Sequence, residues 1–197
     1  MKYTQIPTNT FETIQLNAGM LATGFVPSTG VVSGVIGATS GGVNFSTNPS
    51  YVDWGDDIDN CPKNTMELKK LDSYDVNLSG TFVTVDAASA KKLVGAADSA
   101  TDSTVTTMTK ITPRNDLATT DFADLWWIGD YSDKNGDSNY GFIAIHMLNG
   151  LSTGGFQIQT GDKAKGQFSF TFTGHYSIDA QDVVPFEIYV KAPTASA

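Results

Sequence analysis

The stretch "QFSFTFTGHYS", Gln167 to Ser177, indicates the fold class because two kinds of side chain alternate along it. Aromatic residues occupy one parity, and small hydroxyl side chains with one histidine occupy the other. A period of two is typical of a β-strand with one buried face. The second face carries neither Lys nor Glu, so a sheet of such strands has an uncharged, hydroxyl-lined surface whose purpose has to be explained.

The same alternation occurs in "SYDVNLSGTFVTV", Ser73 to Val85. Its two faces consist of Val76, Leu78 and Phe82, and of Asn77, Ser79 and Thr81. Further along, "YGFIAIHML" is apolar on both parities and predicts a central strand that is buried on both sides. The segments "GFQIQT" and "VPFEIYV" are predicted to complete the sheet.

One helix is predicted, in "DAASAKKLVGAAD", with Asp86 as N-cap and Gly95 as the stop. The fold class is therefore mainly β: a β-sandwich or barrel of two sheets flanked by one α-helix, with an extended arm and loops. We expect an amino-terminal arm with the first strands over residues 1–36, a sandwich domain over 37–190 with the helix near 86–95, and a flexible tail over 191–197.

Composition limits the function classes. The chain has 197 residues, 40% of them hydrophobic and 17% charged, which suits one large β domain. A single cysteine, Cys61, excludes an internal disulfide framework and a cysteine-based metal cage. The net charge of −9 disfavours binding to free nucleic acid and to anionic lipid. No run of eighteen apolar residues and no signal-peptide core occur, which predicts synthesis and retention in a cytoplasm.

Two motifs resemble catalytic or calcium-binding sequences without completing them. "GLSTG" places Ser152 in the pattern of a nucleophile elbow, but a strand-like segment follows where a helix is required. "DKNGDSN", Asp133 to Asn139, alternates oxygen-bearing residues as calcium loops do, but Ser138 replaces the required Gly and Ala144 the required Glu. We interpret both as hairpin turns and leave a weak ion site in the second as an alternative.

The remaining candidates for chemistry are also isolated. Asp56, Asp57 and Asp59 have no neighbouring histidine, and His146 lies in an apolar strand as a core histidine would. No nucleophile, base and orienting acid come together, so we predict a protein that is not an enzyme, with no catalytic residues, metal or cofactor. These patterns favour a protein whose function resides in its surfaces.

Two long stretches carry a resemblance to a known family. They are "GATSGGVNFSTNPSYVDWGDDIDNCPKNTMELKKLDSYDVNLSGTFVTV", Gly37 to Val85, and "GGFQIQTGDKAKGQFSFTFTGHYSIDAQDVVPFEIYV", Gly154 to Val190. Both resemble the major tail proteins of long-tailed bacteriophages, the tail tube subunits, and in particular those of siphophages of Gram-positive hosts. The region from Asp98 to Asn135 lies outside the resemblance.

The resemblance implies a structural virion protein. Six copies would join their inner sheets into a ring, and rings would stack into the tail tube through which DNA leaves during genome ejection. The partners would be further copies of the chain, the tape measure protein and the tail-end proteins. DNA would pass without specific binding, and no membrane would be involved.

Two sets of residues take roles under this interpretation. One of the two polar strand faces would line the lumen. The lumen candidates are therefore Asn77, Ser79 and Thr81 on one strand, or Ser169, Thr171 and Thr173 on the other. The acidic loop Gly55 to Asn64 and the arm before Gly37 would supply ring-to-ring contacts, with Asp56, Asp57 and Asp59 as candidates. Lysines such as Lys69, Lys70, Lys163 and Lys165 could pair with acids of a neighbouring subunit.

A carbohydrate-binding β-sandwich is the alternative from another class. It would use exposed tryptophans to stack on sugars, with calcium at the Asp133–Asn139 turn. Such a module would lose sugar binding in a chelator, whereas a tube subunit would be indifferent to calcium. The contractile-tail tube is a close variant of the first interpretation, and the residues alone do not separate the two.

Overall fold

The structure is a computed structural model that describes residues 6–7, 10, 14–15, 17–131 and 141–192. Ten strands and one α-helix lie in these ranges. The strands are β1 Met20–Val26, β2 Val31–Val35, β3 Thr39–Asp53, β4 Lys69–Phe82, β5 Ala97–Thr101, β6 Thr109–Pro113, β7 Ala123–Asp130, β8 Phe142–Ser152, β9 Phe168–Gly174 and β10 Phe186–Lys191. The helix, α1, spans Ala87–Val94, and short 3₁₀ turns cover Met66–Leu68 and Thr119–Asp121.

The strands form two antiparallel sheets that share β8. The first sheet runs β2-β1-β7-β8-β10, and the second runs from the end of β8 through β9 and β4 to β3. β8 pairs with β7 as far as Gly150 and with β9 at Leu151 and Ser152, so this one strand passes from one sheet to the other. The predicted fold class is confirmed: over the described residues the protein is mainly β, with two sheets and the one α-helix α1.

The main core lies between the two sheets. It is built from residues that alternate along the strands, as a half-buried strand requires. Its buried members are Leu21, Ile36, Val76, Leu78, Phe82, Leu93, Leu125, Met147, Phe170 and Phe172. Burial of each large side chain contributes about 1.5–3 kcal/mol, so this cluster accounts for much of the driving force for folding.

A second cluster covers the opposite face of the first sheet. Phe25 packs edge-on against Trp126 and Phe142, with ring centroids 5.4 and 5.3 Å apart. Val32, on the paired strand β2, joins the same cluster. The far end of the β1–β2 hairpin therefore folds over this face, and β7 and β8 are buried on both sides. This confirms the prediction that "YGFIAIHML" is a central strand.

The helix has the predicted ends. The Asp86 carboxylate accepts a 2.7 Å hydrogen bond from the Ser89 backbone N–H, and the chain turns at Gly95 with φ of 84°. Leu93 enters the main core, while the Ser89 hydroxyl donates to the Ile36 carbonyl at 2.7 Å. α1 is thereby fixed against the sandwich at the end where β4 finishes.

The structure corrects one sequence prediction, the strand in "GFQIQT", and adds detail for two other parts of the chain. "GFQIQT" is not a strand: apart from the single bridge between Gln159 and Gln167 the segment is unpaired, and Phe156 and Ile158 are exposed. The unassigned region after Asp98 forms the small β5–β6 hairpin, a 3₁₀ turn and β7. The first strands, β1 and β2, are members of the first sheet, because β1 pairs with β7.

Candidate functional site

The six lumen candidates, predicted on two separate polar strand faces, lie together on β4 and β9. The two strands are neighbours, and the register places Asn77 opposite Thr173, Ser79 opposite Thr171, and Thr81 opposite Ser169. β3 extends this polar face on the other side, with Asn44 opposite Ser79 and Ser46 opposite Asn77. The sequence predicted two polar strand faces, and the structure joins them into one.

Hydrogen bonds run across the strands at one end of the polar face. The Thr173 hydroxyl donates to the side-chain oxygen of Asn77 at 2.9 Å, and Thr153 lies 2.9 Å from Thr173 through their hydroxyl oxygens. The Asn77 amide donates to Asp75 at 3.0 Å. Because these short side chains bind one another, they lie flat on the sheet and form a smooth surface.

The polar face is uncharged apart from its margin. Asp75 is the acid at that margin, and none of the polar-face residues that β3, β4 and β9 contribute is basic. The reverse side of the same strands is the main core, where Gly80 leaves room for Phe170: a Cβ on Gly80 would lie 2.8 Å from that ring. A slip of one residue would exchange the two faces, so the core holds the hydroxyls outward.

A shallow depression of about 360 Å³ lies on the polar face where β3 is irregular. The register shifts between Thr39 and Val43, and Gly41 and Gly42 have φ of 78° and 84°. Glycine is required at these two positions because other residues rarely adopt such angles. The lining is neutral and polar, with Asn44 and Ser79 among its residues.

A two-stranded extension projects from the second sheet, and we call it the ribbon. It comprises residues 48–53 of β3, residues 69–75 of β4 and the loop 54–68 between them; β9 pairs only with residues 76–82 of β4. Large apolar side chains are exposed along it. They are Tyr51, Val52, Trp54, Ile58, Met66 and Leu71.

Hydrogen bonds to Asp53 hold the loop at the end of the ribbon. Its carboxylate accepts from the backbone N–H groups of Gly55 at 2.9 Å and Asn64 at 2.8 Å. These two bonds, with a smaller contribution from nearby Lys69, lower the pKa of Asp53 below its ordinary value. The loop is therefore ordered without a partner, and it presents the predicted contact residues Asp56, Asp57 and Asp59 as exposed side chains.

A concave basic site lies between α1 and the β5–β6 hairpin, and we call it the α1 groove. Its volume is about 330 Å³, and it is lined by Ala87, Ala88, Lys91, Lys92, Gly95, Ser99, Thr109, Thr120, Asp121 and Ala123. Burial, and to a smaller extent the neighbouring charge of Lys91, lower the pKa of Lys92. Sequence analysis missed this site because two lysines on an alanine-rich helix are typical of any solvated helix face.

The one acid in the α1 groove is already neutralised. Arg114 donates to both carboxylate oxygens of Asp121, at 2.5 and 2.7 Å, and the Ala118 N–H donates to it at 2.8 Å. The pKa of Asp121 is lowered, and the hydrogen bond from the Ala118 backbone N–H contributes most to this, followed by Arg114. The lysines thus determine the charge that an approaching group meets.

His146 and Ser152, two candidates for chemistry, each contact neighbouring parts of the fold. His146 stacks on Trp126 with ring centroids 3.9 Å apart and lies between the carboxylates of Asp124, at 3.2 Å, and Glu187, at 3.5 Å. The Ser152 hydroxyl donates to the Leu93 carbonyl at 2.8 Å, which ties β8 to α1. The structure does not bring this hydroxyl together with a histidine and an acid among the described residues.

The tryptophans are not arranged as a sugar platform. Trp126 is buried, and the Trp127 ring donates to the Ala18 carbonyl at 3.1 Å. Trp54 is exposed on the ribbon, with the Lys70 ammonium 4.2 Å from its ring centroid. The turn Asp133–Asn139, on which the calcium alternative depends, lies outside the described residues.

The described part of the chain contains neither a cluster of potential metal ligands nor a helix suited to cross a membrane. No group of three or more histidine, cysteine or acidic residues is placed there to hold a metal ion. Within the same residues, no helix has the length and apolar character needed to cross a membrane. The candidate functional surfaces are the polar face, the ribbon and the α1 groove.

No protein-family model matches the chain, and no curated protein matches it either.

Proposed function

We propose that this protein is a tail tube subunit of a long-tailed bacteriophage, which assembles into hexameric rings that stack around a lumen for DNA. The observation that carries the proposal is the polar face, where three neighbouring strands present small uncharged side chains in register. Under this proposal the protein belongs to the virion tail, is made in the host cytoplasm, and meets the tape measure and tail-end proteins at the ends of the tube.

The chemistry of the polar face suits a surface that DNA must slide past. Each phosphate neutralised by Lys or Arg strengthens binding, so a basic lumen would retain DNA. A strongly acidic lumen would repel DNA and oppose its entry. Hydroxyl and amide side chains that bind one another, in a chain of net charge −9, avoid both extremes.

The free edge of β3 supports self-association. From Thr39 to Val52 this strand has no charged residue, and in the part of the chain that the structure describes its second side pairs with no strand. Register shifts between Thr39 and Val43 and between Ser50 and Tyr51, together with Pro49, interrupt this edge. The stretch from Val43 to Asn48 between them is regular and uncharged, and such an edge pairs with other chains. The opposite side of the same sheet ends in the unpaired segment with exposed Phe156 and Ile158.

These two edges differ, so pairing between them is head-to-tail. A head-to-tail interface makes a closed ring when its rotation closes, and an open filament when it does not. In a closed ring the second sheets of the six copies become continuous, and their polar faces point the same way. The exposed Phe156 and Ile158 side chains are then covered by the neighbouring subunit.

The ribbon supports stacking between rings. An isolated two-stranded hairpin is marginally stable in water, and this one also exposes Tyr51, Trp54 and Met66. Exposed apolar surface of this kind marks an interaction site. A ribbon that reaches the next ring buries these side chains and brings the acidic loop into contact with it.

Electron microscopy of the purified chain, with light scattering, tests the proposal. We expect rings or tubes with a central hole, and a scattering mass that rises with concentration in steps of the ring. A chain that remains monomeric is given purified tail initiator or preformed tube ends as nuclei. A monomer that also fails to add to these nuclei contradicts the proposal, and calcium-dependent binding to glycans would then favour the carbohydrate-binding alternative.

A further inference from the structure

The ribbon loop and the α1 groove lie at opposite ends of the molecule. β4 connects them: it begins at Lys69, beside the loop, and ends at Phe82, four residues before the N-cap of α1. Fourteen extended residues span about 45 Å at roughly 3.3 Å each. The loop of one chain therefore does not reach the groove of the same chain.

The two surfaces have opposite charge. Between Gly55 and Asn60 the loop carries three exposed acids and no basic residue. The groove has two lysines, Lys91 and Lys92, and hydroxyl groups from Ser99, Thr109 and Thr120. A carboxylate accepts charge-assisted hydrogen bonds from ammonium groups and further hydrogen bonds from hydroxyls.

The groove supplies one acid, Asp121, for its two lysines, and Asp121 interacts with the charge of Lys91. Asp121, its only acid, is held by Arg114 and by a backbone N–H. Lys91 and Lys92 are adjacent and partly buried, and the pKa of Lys92 is lowered first by burial and then by the neighbouring charge of Lys91. An incoming carboxylate relieves this repulsion, and its binding site is already formed.

We infer that the acidic loop of one copy, through Asp56, Asp57 and Asp59, docks in the α1 groove of a second copy and pairs with Lys91 and Lys92. This inference rests on the proposed function and names the two surfaces that meet between stacked rings. Because the surfaces lie at opposite ends of each chain, the contact is head-to-tail and repeats along a tube without limit. The same contact gives the stack a single direction.

Charge reversal in the full chain tests the pairing. The variants are Lys91→Glu with Lys92→Glu, Asp56→Lys with Asp57→Lys, and all four changes together. We expect the first two to form rings that do not stack, and the fourfold variant to recover tubes, since the attraction is restored with its sign exchanged. Lys110→Glu with Lys191→Glu is the matched control; it makes the same change in net charge at exposed positions on β6 and β10, and leaves tubes intact.

Three results would overturn the inference: tubes from the Lys91/Lys92 variant, a fourfold variant that stays unstacked, or a control that loses its tubes as well. Thermal unfolding identifies a variant that merely misfolds, and Lys91→Gln with Lys92→Gln then replaces the reversal. Rings and tubes that persist through every variant leave the tube proposal standing and reject only this contact. Wild-type protein that forms neither rings nor tubes, even on nuclei, rejects the tube proposal itself.

Carbodiimide cross-linking gives a second readout that needs no substitution. It joins a carboxylate to an amine only when the two are in contact, and a mixture of light and heavy isotope-labelled chains identifies links between copies by mass. We expect mixed-label links between residues 56–59 and residues 91–92 in assembled wild-type protein. Assembled protein without these links contradicts the inference.

Discussion

At the scale of single residues, Asp86 has the clearest separable contribution to stability. Its carboxylate accepts the Ser89 N–H at 2.7 Å and satisfies one of the four donors that every helix start leaves without a partner. This bond lowers the pKa of Asp86. A carboxyl whose pKa is lower in the folded than in the unfolded chain stabilises the fold above its unfolded pKa, about 3.9, and loses this contribution as pH falls through the folded pKa.

Asp86→Ala should therefore lower the free energy of unfolding by about 1 kcal/mol at pH 7. The difference from wild type should narrow as the pH falls below about 4, because the wild-type carboxylate is then protonated. Urea unfolding of monomeric protein followed by circular dichroism between pH 3 and pH 7 measures both effects. Asp182→Ala, at an exposed site, is the control and should change little; a pH-independent difference for Asp86→Ala would contradict the assignment to the charged cap.

At the scale of elements, local sequence patterns were sufficient to assign the faces of a strand where its residues alternate between the core and the surface. The period of two assigned the core and polar faces of β4 and β9, and capping chemistry placed α1 between Asp86 and Gly95. Strand neighbours are set by contacts between distant parts of the chain, so the pairing of β4 with β9 was not predictable in the same way. "GFQIQT" alternates as a strand does, but apart from the bridge between Gln159 and Gln167 it has no strand partner among the described residues. A local pattern does not reveal whether a segment has such a partner.

The α1 groove and the ribbon could not be predicted from the sequence, for the same physical reason. The groove is formed by side chains from α1, the β5–β6 hairpin and the turn at Asp121, which are brought together only by folding. The ribbon depends on where β9 ends, since β4 continues seven residues beyond its last pair with β9 toward the loop. The acids at positions 56, 57 and 59 were identifiable, but their distance from the sandwich was not.

The ribbon is the element whose removal should separate folding from assembly. Replacing residues 51–72 with Asn-Gly joins Ser50 to Ser73, which face each other across the hairpin, through a two-residue turn suited to antiparallel strands. The main core contains no residue of the deleted segment. We expect a chain that folds with a thermal midpoint close to that of wild type and that forms rings but no tubes.

Circular dichroism and electron microscopy of this shortened chain measure the two properties. A control that keeps the ribbon length but replaces the exposed Ile178 with Ser should assemble normally, since that residue lies outside the ribbon. Normal tubes from the shortened chain would show that the ribbon is dispensable for stacking. A shortened chain that fails to fold would contradict the independence of ribbon and sandwich.

At the scale of the whole molecule, one sheet has two different tasks on its two faces. The aromatic face of β9 packs into the main core, and its hydroxyl face belongs to the polar face. Orientation of the polar face is thus secured by the hydrophobic effect on the other side of the same strands. In a ring of six copies this arrangement repeats around the lumen, so one substitution changes six positions per ring at once.

Thr171→Lys and Ser79→Lys test the lumen assignment, because each substitution is repeated six times in a ring. The two residues face each other across β9 and β4, and each substitution would place six ammonium groups in every ring of the lumen. The logarithm of DNA affinity falls linearly with the logarithm of the salt concentration, with a slope of about 0.9 per neutralised phosphate in duplex DNA. We therefore expect DNA to be retained in the tube at low salt and released as the salt concentration rises. In virions carrying either variant, ejection should be slower and should recover with ionic strength.

Gln181→Lys, in the exposed turn between β9 and β10 and outside both the polar face and the α1 groove, is the matched control. It adds the same charge to each subunit but should leave ejection at the wild-type rate. Ejection that is unchanged in both Thr171→Lys and Ser79→Lys would show that the polar face does not line the lumen. Ejection slowed equally in all three variants would assign the effect to the total charge of the tube, because charge at a distance from the channel would then act as strongly as charge beside it.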